Sequence, residues 1–150
     1  MKVVVQRVAQ AAVLIDHKIQ AEIQNGFLVL VGFTTMDSAA DTDWMAKKIV
    51  NLRLFNDENG LMNLNLKAVN GQILLVSQFT LYAEYKKGNR PSFIQAARPE
   101  QAQPLYQDFV QKLNILMEAE IKTGIFGADM KVHLVNDGPV TLVMDSKTMQ

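Results

Sequence analysis

The sequence predicts an α+β protein in which a mainly antiparallel β-sheet packs against two helices, with residues 1–150 forming one domain. Short runs of β-branched and apolar residues are separated by turn dipeptides such as Asn25-Gly26 and Asn70-Gly71, a pattern typical of strands joined by tight turns. Two longer segments, 38–52 and 99–120, carry apolar residues at helical spacing instead. No repeat or low-complexity linker divides the chain, so we expect a single core.

Three strands are predicted at the amino-terminal end. Residues 2–9 and 11–23 are rich in β-branched and apolar residues around a turn at Asp16-His17-Lys18, and Asn25-Gly26 precedes the apolar run 27–33. Asn-Gly between apolar runs is a strong signal for a tight turn. We therefore expect these three strands to form a mainly antiparallel sheet.

The first helix is predicted from Ser38 to about residue 52. Ser38 is a favourable N-cap residue, and Asp41 lies three residues later, where the helix dipole favours a negative charge. Trp44, Ile49 and Leu52 then give the helix an apolar face.

Further turns are predicted at 56–60 and at Asn70-Gly71, with a short, weakly patterned segment between them and a strand over 72–80. Residues 85–98 form a polar, basic loop. Two last strands, about 131–136 and 140–145, flank a turn at Asp137-Gly138-Pro139.

The second helix is predicted to begin at Pro99 and to end near residue 120. Pro104 lies inside this range, so we expect either a kink or a later start. One face of the helix is apolar through Leu105, Phe109, Leu113, Leu116 and Met117.

The composition narrows the possible functions. Fifteen basic residues balance fifteen acidic ones, which argues against a protein that holds nucleic acid by bulk charge but leaves room for a local basic patch. The absence of cysteine removes thiol nucleophiles, disulfides and cysteine-ligated zinc. The first residues do not resemble a signal peptide, and no run approaches the ~20 apolar residues of a membrane span. We expect a cytoplasmic protein without a membrane partner.

Two polar segments at the ends of apolar runs are the most informative features. Ser77-Gln78-Phe79-Thr80-Leu81 follows the run 73–76, and Asn136-Asp137-Gly138-Pro139-Val140-Thr141 follows 132–135. A buried strand that ends in small polar residues places those polar residues at the edge of the core. We call such a segment a polar rim. Two such rims suggest a site built largely from main chain.

Side chains for conventional catalysis are scarce. The hydroxyls nearest to the expected site belong to Ser77 and Thr80. A hydroxyl can act as a nucleophile only when a base lies within hydrogen-bond reach of it. His17 is predicted in a hairpin turn and His133 alternates with apolar residues on a strand, so a Ser/Thr–His–Asp triad is disfavoured. No ligand spacing for a metal is present, and no cofactor is expected. Gly138-Pro139 on base rates alone is an ordinary trans turn.

Two other stretches are notable. The basic loop holds Lys86, Lys87, Arg90 and Arg98 without an acid among residues 85–98. It is either a solvated surface loop or a nucleic-acid contact, in which Tyr85 and Phe93 could stack on a base. Phe126, between Gly124 and Gly127, is either core or part of a closely packed bend.

Taken together, these segments resemble the D-aminoacyl-tRNA deacylases, nearly end to end. The resemblance is carried by residues 1–8, Ser77–Leu81, Gly88-Asn89-Arg90-Pro91, Thr123–Met130 and Asn136–Thr141, in that order and spacing. It implies a barrel-like core, a homodimer, and hydrolysis of the ester joining a D-amino acid, or glycine, to the 3′-terminal ribose of tRNA. Aminoacyl-tRNA and a second copy of the chain would be the partners, and no DNA partner is implied.

The resemblance also implies roles for particular residues. The Gly138-Pro139 bond would be cis and would reach into the pocket of the other subunit, with Asn136 and Thr141 holding it rigid. Ser77, Gln78, Phe79 and Thr80 would form the catalytic segment, in which the main-chain N–H groups around Gln78, Phe79 and Thr80 bind the developing oxyanion. Because no base is expected beside Thr80, we interpret it as a positioning residue and not as a nucleophile. Phe126 would contact the terminal adenosine, and Lys86, Lys87 and Arg90 the acceptor stem.

Two alternatives remain open on the sequence. The chain could be a non-catalytic module that binds the 3′ end of tRNA. It could also be a structural interaction domain in which both polar segments are merely turns. Hydrolysis of D-Tyr-tRNA would distinguish a deacylase from both the binding module and the interaction domain.

Overall fold

The computed structural model describes residues 1–149. The amino-terminal strands form as predicted: β1 (Lys2–Ile15) turns at Asp16 and His17 into β2 (Lys18–Ile23), and β3 (Gly26–Gly32) follows. Both β2 and β3 pair antiparallel with β1. Asp16 and His17 both have positive φ, 49° and 63°, as a tight turn between twisted strands requires.

The prediction of a mainly antiparallel sheet is confirmed in part: β1 pairs antiparallel with its neighbours, but the sheet as a whole is mixed. After α1 (Ala39–Asn51) and the small hairpin of β4 (Phe55–Asn56) and β5 (Met62–Leu64), the chain returns as β6 (Gln72–Ser77), parallel to β3. The helical crossover makes this direction possible. β6 is buried on both faces from Ile73 to Val76, as parallel strands usually are.

The remaining elements are α2 (Pro99–Met117), β7 (Lys122–Thr123) and β8 (Lys131–Asp145). β7 is parallel to β6, and the sheet curls until β7 approaches β2, giving a barrel-like core. α2 begins at Pro99 and includes Pro104, but it ends before the predicted residue 120, at the left-handed Glu118. Neither helix in residues 1–149 is both long and apolar enough to cross a membrane.

β8 corrects a second prediction. The two strands expected at 131–136 and 140–145 are one strand, and both halves pair with β1. Asn136 lies opposite Val8 and Thr141 opposite Gln6, so residues 137–140 form a bulge on β8 rather than a hairpin turn. The Gly138-Pro139 bond in this bulge is cis. The trans geometry expected from base rates was wrong, and the cis geometry implied by the resemblance is confirmed.

The predicted strand 72–80 is also too long. β6 ends at Ser77, and Phe79–Tyr82 form a short 3₁₀ turn. The turn passes directly over Gly32: a Cβ on Gly32 would lie 2.7 Å from the Gln78 carbonyl oxygen. Glycine at this position therefore allows the two backbones to approach.

Two apolar clusters cover the two faces of the sheet. The larger lies between the sheet and the helices and contains the fully buried Phe109 and Leu113 of α2 and Met45 and Ile49 of α1. The smaller lies inside the curl of the sheet, around Val13, Leu28 and Leu74 with their neighbours. The predicted apolar faces of both helices thus form the larger core.

The two ends of the described chain meet in a buried charged cluster. The Met1 ammonium donates to Asp37 Oδ1 at 2.6 Å and to Ser146 Oγ at 2.7 Å. Ser146 Oγ donates to Asp41 Oδ1 at 2.7 Å, and Lys147 Nζ donates to both Asp41 oxygens. Since Met1 and Asp37 are wholly buried, the charges in this cluster depend on one another.

Asp41 makes stability depend on acid pH. Burial raises its pKa, but hydrogen bonds from Lys147, Ser146 and Ser38 outweigh burial and hold the pKa well below 3.8. A carboxyl whose pKa is lowered by folding stabilises the fold at any pH above its ordinary, unfolded-state pKa. This contribution is lost as the pH falls through the pKa of the folded state. We expect Asp41→Asn to be less stable than wild type at pH 7, with a difference that shrinks below about pH 4.

Urea unfolding at pH 7, 5, 4 and 3.5 tests this expectation. Some acid dependence will remain in Asp41→Asn, because the pKa values of Asp108 and Glu118 are also lowered. A wild-type-minus-mutant difference that is constant, or that grows toward acid, would contradict the assignment to Asp41.

Candidate active site

A cavity of about 620 Å³ opens at the carboxyl end of β6. One wall is Ser77, Gln78 and Phe79; the opposite wall is formed by residues 126–130, including Phe126. The structure thus brings together Ser77, Gln78, Phe79 and Phe126 of the predicted site residues. Thr80 follows them in the 3₁₀ turn but does not line the cavity.

The main-chain N–H groups on this wall differ in availability. The Gln78 N–H donates to the Val31 carbonyl oxygen at 2.6 Å, so it cannot also bind a substrate oxyanion. The Phe79 and Thr80 N–H groups find no acceptor among residues 1–149. They begin the 3₁₀ turn, where N–H groups have no partner within the turn itself.

The Thr80 hydroxyl has a partner that cannot act as a base. Gln78 Nε2 donates to Thr80 Oγ1, and an amide N–H donor does not accept a proton. His17 lies in the β1–β2 turn and His133 is exposed on β8 opposite Ala12, and neither lines the cavity. Within the part of the chain that the structure describes, no group of three or more metal-ligating side chains is found.

Phe126 packs against the larger core and also faces the cavity. Its ring packs edge-to-face on Tyr106, with ring centroids 5.7 Å apart, and it lines the cavity. Tyr106 is fixed in turn, because its hydroxyl donates to the Leu75 carbonyl oxygen at 3.1 Å. Burial raises the pKa of Tyr106, so its hydroxyl stays protonated as that hydrogen bond requires.

Gly138 and Pro139 lie outside this cavity, exposed on the β8 bulge. Asn136 spans the bulge: its Oδ1 accepts the Val140 N–H at 2.7 Å, and its Nδ2 donates to Thr141 Oγ1 at 3.0 Å. The predicted set Asn136, Gly138, Pro139 and Thr141 is therefore one rigid unit, but the structure does not bring it into the chain's own pocket.

Arg7 supports the bulge from within the sheet, and the sequence analysis missed it. The Arg7 side chain is almost buried; its Nε donates to the Asp137 carbonyl oxygen at 2.8 Å and its Nη1 to the Leu54 carbonyl oxygen at 2.6 Å. The available signal was a cation in the middle of a largely apolar strand, since such a residue is buried only when it has partners.

The basic loop projects from the rim of the cavity. Lys86, Lys87 and Arg90 are exposed, and none of them forms an ion pair within residues 1–149. The loop is closed at its base by two hydrogen bonds between Glu84 and Ser92, of 2.7 and 2.8 Å.

The chain is also similar to proteins of a known family. The family model described as D-Tyr-tRNA(Tyr) deacylase matches residues 4–145. The chain belongs to this family. It is thus a hydrolase of the deacylase class, acting on an ester bond, as the resemblance implied.

Individual relatives agree with this membership. The D-aminoacyl-tRNA deacylase of Flavobacterium psychrophilum is 57% identical over 150 residues, all of both chains. That of Dechloromonas aromatica is 58% identical over 147 residues, 98% of each chain.

Two solved structures share the fold. One, named c-Myc DNA Unwinding Element Binding Protein, is 41% identical with a TM-score of 0.91, over 97% of this chain and 98% of that one. The other, a probable eukaryotic D-amino acid tRNA deacylase, has a TM-score of 0.82 over 95% of this chain and 97% of that one. At 17% identity it supports the fold alone.

Proposed function

We propose that this chain hydrolyses the ester between a D-amino acid, or glycine, and the 3′-terminal ribose of tRNA. Water attacks the ester carbonyl carbon, the bond to the ribose oxygen breaks, and that oxygen takes a proton. The observation that carries the proposal is a pair of N–H groups without acceptors: that of Phe79, which lines the cavity, and that of Thr80, the next residue in the same turn. Two such donors suit a developing oxyanion, and one is typically worth about 3–4 kcal/mol.

The remaining chemistry comes from the substrate. Thr80 Oγ1 accepts a hydrogen bond from Gln78 Nε2, which orients the Thr80 side chain within the turn. Thr80 is therefore a positioning residue and not a nucleophile. The 2′-hydroxyl of the terminal adenosine helps to activate the attacking water, and Phe126 packs against the adenosine.

Chiral selection is the task of the β8 bulge in a homodimer. Gly138-Pro139 is exposed and does not line its own cavity, so it enters the cavity of a second subunit. Its carbonyl groups hold the amino group of the substrate. An L side chain then collides with the dipeptide, whereas a D side chain points to solvent and glycine presents nothing to reject.

A partly exposed apolar row next to the bulge supports the homodimer. The sheet register aligns Val143 with Val4, and Val4 with Leu30, so these side chains share one face. Val143 is 71% exposed. In the next register position Gln6 lies opposite Thr141, which makes the apolar row continuous with the bulge. A second copy would cover both together.

The basic loop binds the acceptor stem. Lys86, Lys87 and Arg90 are exposed cations without ion pairs, as phosphate contacts require. Such contacts carry no stereochemical information, so they add affinity and leave the preference for D substrates unchanged. The protein acts in the cytoplasm, where aminoacyl-tRNA is made.

One assay with three substrates tests the proposal. We expect D-Tyr-tRNA and Gly-tRNA to be hydrolysed and L-Tyr-tRNA to remain intact over the same time. Retention of aminoacyl-tRNA on a gel without hydrolysis would favour the non-catalytic binding module. Neither binding nor hydrolysis would favour an interaction domain.

The same assay addresses DNA binding, because one structural relative is named as a DNA-binding protein. We expect an excess of duplex DNA to leave the hydrolysis rate unchanged, because the chain has no net charge and bulk charge provides most non-specific DNA affinity. Competitive inhibition by DNA would contradict this expectation.

A further inference from the structure

We propose that Phe93, in the basic loop, is a positioning residue that holds Phe79 in place and thereby fixes a catalytic N–H group. The sequence analysis considered Phe93 as a residue that stacks on a base of the RNA. The structure gives its ring a different neighbour: it packs edge-to-face on Phe79, with ring centroids 5.2 Å apart. Both rings line the cavity.

Phe79 needs external support because little else holds its side chain. The ring is 56% exposed, and its residue begins a 3₁₀ turn of only four residues. Short 3₁₀ turns have weak internal hydrogen bonds. The Phe79 N–H has no acceptor, so neither its side chain nor its own amide is fixed by bonding within the turn.

Hydrogen bonds hold the backbone around Phe93, in contrast to the free Phe79 amide. Its neighbour Ser92 is bonded to Glu84 through both main-chain groups, and the Phe93 carbonyl oxygen accepts the Ala96 N–H at 3.0 Å. Four residues on, the Ala97 N–H donates to the Phe33 carbonyl oxygen at 2.8 Å. Main-chain hydrogen bonds therefore hold the loop on both sides of Phe93: to Glu84 before it, and to Phe33, next to the end of β3, after it.

The consequence is a division of labour within one loop. The exposed cations at the tip face solvent, whereas Phe93 at the base contacts the turn with the proposed oxyanion donors. Edge-to-face contact has a preferred geometry, so the Phe93 ring determines where Phe79 and its N–H group lie. A shift of about 1 Å at such a donor can cost about a hundredfold in rate.

The test compares Phe93→Ala with Phe93→Tyr and with the matched control Ile94→Ala. Ile94 is the adjacent residue and is 79% exposed. Each variant is assayed on D-Tyr-tRNA and on the D-tyrosyl ester of adenosine, which has no phosphate. We expect Phe93→Ala to lower kcat about tenfold to a hundredfold on both substrates, with the KM for tRNA little changed. Phe93→Tyr keeps the ring and should restore the rate.

A second measurement does not depend on turnover. In amide NMR spectra, Phe93→Ala should shift the Phe79 and Thr80 signals, and Ile94→Ala should not. The inference rests on the proposed function, but the two fail differently: a wild-type chain that hydrolyses neither substrate refutes the function, and an unchanged Phe79 amide in Phe93→Ala refutes the inference. A raised KM confined to tRNA would overturn it too, and would return Phe93 to base stacking.

Discussion

Replacing Asp37 by alanine is expected to lower the free energy of unfolding by about 3–5 kcal/mol, because it leaves a buried charge without its partner. Asp37 and the Met1 ammonium are both wholly buried and lie 2.6 Å apart. The second Asp37 oxygen accepts the Thr34 N–H at 2.8 Å, so that group is orphaned as well. The whole free energy of unfolding of a small domain is only about 5–15 kcal/mol, so this loss would be a large part of it.

Urea unfolding followed by circular dichroism at pH 7 measures the effect. Asp43→Ala is the matched control: Asp43 also pairs at 2.8 Å, with Lys47, but it is 48% exposed. Exposed pairs of this kind contribute about 0–1 kcal/mol. If Asp37→Ala lowered the free energy of unfolding no more than Asp43→Ala does, the buried ion pair would be worth no more than an exposed one, which would contradict the prediction.

The elements of this fold were predictable wherever local chemistry decides them. Asn25-Gly26, the Ser38 cap and Pro99 each mark an element boundary within a residue or two of the one found. The direction of β6 was not predicted, because strand direction depends on the crossover that joins β3 to β6 and not on either strand alone. Its continuous apolar run was nevertheless a signal for a parallel, doubly buried strand.

The β8 bulge shows a second limit of local patterns. Asp137-Gly138-Pro139 has the composition of a turn, and a turn would have paired the two flanking strands with each other. They pair instead with β1, a partner more than 100 residues away that also supplies Arg7. Long-range partners of this kind cannot be identified from the composition of one segment.

The candidate site divides in the same way. Ser77–Phe79 and Phe126 could be singled out because each breaks an apolar or polar pattern, and the cavity brings them together. The contact between Phe79 and Phe93, and the loss of the Gln78 N–H to Val31, depend on tertiary packing alone. Nothing in the local sequence predicts them.

Mixing two inactive variants is expected to restore activity if Gly138-Pro139 serves the cavity of a partner subunit. In Gly32→Ala, the added Cβ would lie 2.7 Å from the Gln78 carbonyl oxygen and would displace the turn that carries Phe79 and Thr80. In Gly138→Ala, the added Cβ would lie 2.6 Å from the Val140 nitrogen, at a φ of +152° that residues other than glycine rarely adopt. Each homodimer should lose about a hundredfold or more in rate.

Gly60→Ala is the matched control for backbone strain. Gly60 has a φ of +77° with no atom within 4 Å of its added Cβ, so this variant has a strained glycine site without a steric clash. We expect it to keep wild-type activity. Thermal unfolding of all three variants should establish that loss of activity does not simply follow loss of folding.

The mixed dimer contains one site assembled from undamaged parts. The Gly138→Ala subunit supplies an intact cavity, and the Gly32→Ala subunit supplies an intact dipeptide to fill it. With random pairing, half of the dimers are mixed and each has one working site, so the mixture should recover about a quarter of wild-type activity. Recovered activity should also discriminate D-Tyr-tRNA from L-Tyr-tRNA, because the working site has both components. Native mass spectrometry establishes whether mixed dimers form. If they form but are as inactive as the two parent variants, the dipeptide does not serve the cavity of the partner subunit, and the shared site is refuted.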